Sequence, residues 1–291
     1  MVRLENEWLS IGFDSRTGAL ESLVARAGAR ELLRPRPVPG PFGMWTDFFA
    51  PYQFAYDERA YPGIFHSSKV LPPDPSHIAR TCLRPSAGVR IEAGAGTLGL
   101  HWRFGDLEVD VTVSLAGWTS RWAMTLTNRG ATTVSVLPVF PRIEGIDLSA
   151  ETGQMVALNQ AGYIADIWAH EGGAYGNCFH NSAQFGCLFE PDTSEALGFW
   201  IEDASFRAKD IRYVRPGIQV RWFPDRELAP GESVALPETV IAAYRGSWKR
   251  TAQAYGEWFR GAAQPDPTPD WLLDNDGYQG AWMEKRGKPY G

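Results

Sequence analysis

The sequence is short of several things, and each shortage closes off a class of function. Basic residues form no run: Lys and Arg number 28 against 34 Asp and Glu, a formal net charge of −6. Nucleic-acid binding rests on clustered Lys and Arg that displace counterions from phosphate, so no nucleic-acid partner is expected. Cysteine is scarce and odd in number, with only Cys82, Cys178 and Cys187 and no C-x-x-C spacing. That argues against a disulfide framework and a cysteine-built zinc site, and favours a reducing compartment. No run of about 18 apolar residues offers a membrane span. The opening "MVRLENEWLSIGFDSRTG" lacks the apolar stretch of a signal peptide. A cytoplasmic location without membrane contact is the resulting expectation.

Aromatic rings, by contrast, are plentiful: 12 Trp, 10 Tyr and 15 Phe in 291 residues. Such rings bury large areas, and they also stack on the apolar faces of sugars. Hydrophobic residues make up 44% and charged ones 21%, a globular balance.

The dominant period is two. In "LEVDVTVSL", Leu107, Val109, Val111, Val113 and Leu115 alternate with Glu108, Asp110, Thr112 and Ser114. That is a strand with one buried and one wet face. "LGLHWRF" just before it places Leu98, Leu100, Trp102 and Phe104 inward. Gly105-Asp106 between the two runs predicts a tight II′ hairpin. "SRWAMTLTN" and "TTVSVLPVF" continue the series as an antiparallel meander. "EWLSIGFD" and "ALESLVAR" flank "DSRTG", a turn in which Asp can bond its own backbone and Gly can take a positive φ. Later runs, "AQFGCLFEP", "EALGFWIED", "GIQVRWFP" and "SVALPETVIAAY", add further strands. Turn signals recur every 8 to 12 residues or so, the spacing of a sandwich or barrel.

Two long stretches break the period. Residues 34–63 are rich in proline and aromatics, and residues 145–183 are polar with Gly and Asn. Loops of that length inside a compact domain are usually functional or disordered, and the aromatics argue against disorder. One convincing helix stands near the end. Ser247 is placed to cap it, and Trp248, Ala252, Tyr255, Trp258 and Phe259 share one face. Gly261 is expected to close it in the left-handed conformation. A stiff strap, "AAQPDPTPDW", and a strand-like "GYQGAWM" follow.

The opening "ENEWLSIGFDSRTGALESLVARAGARELL" resembles the first hairpin of galactose mutarotase-like supersandwich domains. "FPRIEGIDLSAETGQMV" and "GSWKRTAQAYGEWFR…PDWL" resemble a bacterial family of the glycoside-hydrolase type, and the likeness runs along essentially the whole chain. The resemblance implies a mainly β fold: an antiparallel β-supersandwich with one C-terminal linker helix. It implies a sandwich over residues 1–245, a linker helix and strap over 246–276, and over 277–291 the first strand of a (β/α)₈ barrel. That barrel, of about 250 residues, has no room in this chain. The family's paired carboxylates belong on the barrel, so no catalytic residue carries over. The function implied is a non-catalytic domain that binds or frames carbohydrate. Its partners would be an oligosaccharide or glycoside and the catalytic barrel, in cis or on another chain. No cofactor is implied.

The residues leave two other readings open. A mutarotase-like isomerase needs a His and a carboxylate near working pH. His170 and His180, beside Glu171 in the long loop, are the candidates, while His101 is expected simply to be exposed on a polar strand face. A glycosidase pair needs two carboxylates about 5–10 Å apart across a sugar. Glu202 and Asp203 are adjacent, so they should point to opposite faces. Asp274 and Asp276 in "DNDG" match part of a calcium loop whose other ligands are absent, so turn chemistry explains them better. The third reading is a non-enzymatic glycan-binding module. For sugar contact the candidates are aromatic and polar residues in irregular context: Trp45, Tyr163, Trp168, His170, Glu171, Tyr175 and His180. Trp102 and Trp122 are assigned to the core.

Overall fold

The structure is a computed structural model. It describes residues 1–33, 43–46, 81–82, 88–149, 151–158, 162–167, 173–175, 183–207, 209–213, 217–222 and 226–262. The chain opens as a four-stranded sheet of β1 (Val2–Glu5), β2 (Leu9–Phe13), β3 (Leu20–Ala25) and β4 (Arg30–Glu31), in that order. β5 (Gly43–Thr46) and β6 (Thr81–Cys82) belong to a seven-stranded sheet. β7 (Arg90–Gly94), β8 (Thr97–Phe104), β9 (Leu107–Ala116) and β10 (Thr119–Asn128) form the predicted meander inside a ten-stranded sheet. β11 (Val134–Glu144) returns to the seven-stranded sheet.

From there the chain switches repeatedly between the two sheets. β12 (Gln154–Ala157), β13 (Tyr163–Asp166), β15 (Phe185–Glu190) and β16 (Glu195–Glu202) join the larger one, as do β20 (Ser233–Ala235) and β21 (Glu238–Arg245). β14 (Gly173–Tyr175), β17 (Lys209–Tyr213), β18 (Gly217–Trp222) and β19 (Arg226–Leu228) join the smaller one. The larger sheet runs β13-β12-β15-β16-β21-β10-β9-β8-β7, with β20 also on β10; the smaller runs β14-β17-β18-β11-β5-β6, with β19 also on β11. The described pairings are antiparallel throughout. One helix, α1 (Lys249–Ala262), closes the described chain. The expected fold class, mainly β with antiparallel sheets and one C-terminal helix, is the one observed.

The alternating residues do what their period demands. Val109, Val111, Val113, Trp122, Met124 and Leu126 are buried in one cluster with Phe199 and Ile201 of β16 and with Ile218, Val220 and Trp222 of β18. The opening sheet joins the same core through Leu9, Ile11 and Phe13. Trp122 links the layers: its ring lies 5.7 Å from Phe13 and 6.5 Å from Phe140 of β11. Burying each such ring contributes about 2–3 kcal/mol.

The turns carry the predicted chemistry. Asp14 Oδ1 accepts from the backbone N–H of Arg16 (3.0 Å) and Thr17 (2.6 Å) and from the Thr17 hydroxyl, and Gly18 takes a φ of 70°. These bonds lower the Asp14 pKa, the Thr17 hydroxyl most. Gly105 has a φ of 62° while Asp106 has no positive φ, the pattern of a II′ hairpin.

Two expectations are corrected. The stretch 145–183 is not simply loop, because it contributes β12, β13 and β14. Gly261 does not close the helix: it lies inside α1, which runs on to Ala262, and it has no positive φ. The Ser247 cap is present, its hydroxyl accepting from Lys249 N–H at 3.3 Å. The strap and the strand-like segment after it lie outside the described residues, as does most of 34–87. Among the described residues, no helix is long and apolar enough to cross a membrane.

Candidate functional site

α1 packs on the outer face of the larger sheet, over β15, β16 and β21. Thr251 and Tyr255 are its buried residues, and Trp248, Ala252, Trp258 and Phe259 pack around them. Docking is close because β16 offers Gly198 there: a Cβ on that residue would stand 2.0 Å from Thr251 Oγ1. Thr251 Oγ1 shares a hydrogen bond with Tyr244 Oη at 2.7 Å. Cys187, next to Tyr244, is free and buried, and burial pushes its thiol up to about 12. It is therefore inert at ordinary pH. At the start of the helix the Arg250 guanidinium lies 4.0 Å from the centre of the Trp118 ring and 5.3 Å from that of Tyr244.

The most unusual group in the described structure sits at one end of the sandwich, between the two sheets. Lys209, the first residue of β17, is 0% exposed. Its Nζ donates to Gln184 Oε1 (2.6 Å) and pairs with Asp203 Oδ2 (2.9 Å). The ring of Trp222, its partner across β18, lies 5.2 Å from Nζ. Burial lowers its pKa from the ordinary 10.5 to about 8, against the opposing pull of Asp203. Asp203 and Gln184 come from the larger sheet: Gln184 immediately precedes β15 and Asp203 immediately follows β16. The Gln184 side chain also donates to the Asp203 carbonyl at 3.0 Å. The turn after Asp203 wraps its carboxylate, with Ser205 N–H at 3.2 Å and Arg207 N–H at 2.7 Å. An ammonium locked away from water cannot touch a sugar directly. What it does is clamp two elements of one sheet to a strand of the other.

The sequence candidates distribute unevenly around this end. Tyr175 is the register partner of Lys209 on β14, so its backbone lies in the same row as Lys209 and Trp222. Trp45 is on β5, four strands further along the same sheet, or about 19 Å at the usual strand spacing. Tyr163 is on β13, at the edge of the other sheet. Trp168, His170, Glu171 and His180 lie outside the described residues. Lys209 and Gln184 were not singled out by sequence, and Asp203 was weighed only as the neighbour of Glu202. One signal was present: Lys209 is two residues before the buried Ile211, so it shares the inward face of β17.

The carboxylates separate as adjacency predicts. Asp203 goes to Lys209, whereas Glu202 goes to Arg121 at 2.7 Å. Glu238 also bonds Arg121, at 2.8 Å, so one guanidinium lies between the two glutamates. The hydrogen bond to Glu202, above all, raises the Arg121 pKa. Both carboxylates are thus tied to a single arginine. His101 is half-buried rather than simply exposed: its Nδ1 lies 2.5 Å from Asp110 Oδ1 and its Nε2 3.5 Å from Glu92 Oε2. Among the described residues no group of three or more His, Cys, Asp or Glu is placed to hold a metal ion.

No protein-family model and no curated protein matches the sequence. Solved structures do match the fold. The α-N-acetylgalactosaminidase NagBb from Bifidobacterium bifidum, in its GalNAc complex, aligns at 10% identity and TM-score 0.56, over 90% of this chain and 39% of that one. The GH36 α-galactosidase AgaA from Geobacillus stearothermophilus aligns at 14% identity and TM-score 0.52, over 89% of this chain and 42% of that one. A galactose mutarotase-like protein from Lactobacillus casei aligns at 12% identity and TM-score 0.48, over 84% of this chain and 100% of that one. At these identities the likeness establishes a shared sandwich fold, and the chain spans well under half the length of the two glycosidases.

Proposed function

We propose that this chain is a carbohydrate-binding or framing domain of a glycoside hydrolase and is not itself the catalyst. The observation that carries the reading is the extent of the fold match: about nine-tenths of this chain aligns with 39% of NagBb and 42% of AgaA. A sandwich that forms part of such enzymes is suited to shape the approach to a sugar site. In this reading residues 1–245 are the sandwich, 246–276 the linker and 277–291 the start of a barrel that supplies the paired carboxylates. The dispersal of described carboxylates into separate ion pairs favours the same view.

Within the sandwich, the end beside Lys209 is the proposed sugar-facing end. Tyr175 sits there by register, and the sequence candidates Trp168, His170, Glu171 and His180 flank it in the chain. Lys209 would act by holding the two sheets in place behind that surface. Methyl α-galactoside and N-acetylgalactosamine are the first probes to try, given the sugars named for the two glycosidases.

Two assays on the 291-residue chain test the proposal. Nitrophenyl α-galactoside and its N-acetylgalactosaminide should not be hydrolysed, whereas titration calorimetry should detect a probe sugar. Turnover that survives rigorous purification would overturn the non-catalytic reading. An NMR exchange assay on the anomers of galactose addresses the mutarotase alternative, with background-level rates expected.

A further inference from the structure

α1 and the buried lysine occupy opposite sides of the larger sheet, yet two chains of contact join them. The first runs through Gln184. Its backbone N–H donates to the Tyr255 hydroxyl at 3.3 Å, and its side chain accepts from Lys209 Nζ at 2.6 Å. One residue thus touches the helix with its main chain and the ammonium with its side chain. The second runs through the 203–207 turn. Asp203 pairs with Lys209, and three residues later Phe206 meets Phe259 of α1 edge-on, with ring centres 6.1 Å apart. Phe206 is 40% exposed and has a φ of 49°. A bulky residue persists in that left-handed conformation only where its surroundings hold it. Among the holders are the Phe206 N–H bond to the Asp203 carbonyl (3.2 Å), the Arg207 N–H bond to the Asp203 carboxylate, and the Phe259 ring.

We propose that α1 is a latch on the Lys209 end of the sandwich: when it is seated, Tyr255 and Phe259 hold Gln184 and the 203–207 turn in the positions that enclose the lysine. Lifting the helix releases both holders together. Water then reaches the ammonium, and the end of the sandwich beside Tyr175 changes shape. Tyr255 and Phe259 are positioning residues, since neither touches Lys209. The proposal gives the sugar-facing end proposed above a means of regulation and rests on that reading for its biological meaning, though not for its contacts. Lys209 faces the charge of Asp203 and, through Asp203, that of Arg207, whose Nε lies 3.6 Å from Oδ1.

The test follows the Lys209 ammonium by ¹⁵N NMR through a pH titration of the full chain without sugar. In the wild type its midpoint should lie near 8. Because burial is what depresses it, Tyr255→Phe and Phe259→Ala should each raise the midpoint by about half a unit or more as water enters. Glu257→Gln, on the exposed side of α1, should leave it where it was. A midpoint that stays put in both latch variants, or moves equally in Glu257→Gln, overturns the latch. Should Phe259→Ala fail to fold, Tyr255→Phe, which removes one hydroxyl, decides alone. Sugar binding is measured separately, so the latch can fail while the sugar-facing reading stands, and the reverse.

Discussion

The two halves of the ten-stranded sheet are built by different rules. In the β7–β10 half the outer face is partly open to water, and β9 alternates between buried and half-buried or exposed positions along most of its length. In the β15–β16–β21 half the outer face lies under α1, and β15 is buried at every position. The sequences show the contrast: "LEVDVTVSL" interleaves charge, whereas "FGCLFE" and "EALGFWIE" carry it only at their ends. A continuous apolar strand is the mark of a sheet covered on both sides. The lesson is that a single 14-residue helix changes the requirements on three strands beneath it.

Paired substitutions can break that comparison. The largest effect is expected for Ala242→Asp, which puts a charge beneath α1 and should cost about 4 kcal/mol or more in chemical denaturation. Thr112→Asp, on the open face of β9, should stay within about 0.5 kcal/mol. Next comes Gly198→Ala, whose new methyl collides with Thr251 and should cost about 3 kcal/mol. Its counterpart Gly99→Ala on β8 is tight only against the Nε2 end of His101, at 3.1 Å, with Glu92 at ordinary contact distance, and should cost under about 1 kcal/mol. Equal losses in the glycine pair would deny that α1 sets the difference between the halves.

Lys209 gives a prediction about pH. Its pKa is lower in the folded chain (about 8) than its ordinary 10.5, so between those values the unfolded chain binds more protons. Stability should therefore rise with pH across that window as far as this group decides it, because the burden of a buried charge lifts as the proton leaves. Denaturation midpoints at pH 7.5 and 10 read the effect, and Lys209→Met should flatten the difference. The substitution itself should cost about 3 kcal/mol, the low end for a broken buried pair, since Asp203 loses its buried partner but keeps its backbone donors. Smallest is Arg250→Ala, which removes the guanidinium over Trp118 and should cost about 1 kcal/mol.

Much of the architecture was legible in the sequence. The period of two in β8, β9 and β10 placed their faces correctly, because one face of that half is wet and the code stays binary. The Asp14 turn, the Gly105 hairpin and the Ser247 cap were readable because each uses a side chain or φ that few residues supply. Three features were not. β12, β13 and β14 are three or four residues long, too short to show a period. Gly261 was misread because a glycine near a helix end marks either a left-handed cap or a tolerated last turn, and only the backbone tells which. The Lys209 cluster was invisible for another reason: Gln184, Asp203 and Lys209 meet through the fold, and a lone lysine in "FRAKDIRY" looks like a solvated residue. Its inward parity with Ile211 was the clue that went unused.

The most direct measurement maps a bound sugar onto this fold. Backbone ¹H–¹⁵N spectra of the chain, titrated with the two probe sugars, should shift at Tyr175, Gln184 and the 203–207 turn, with no hydrolysis product in the tube. Shifts confined to the open face of β8 and β9, or product formed by this chain alone, would contradict the account.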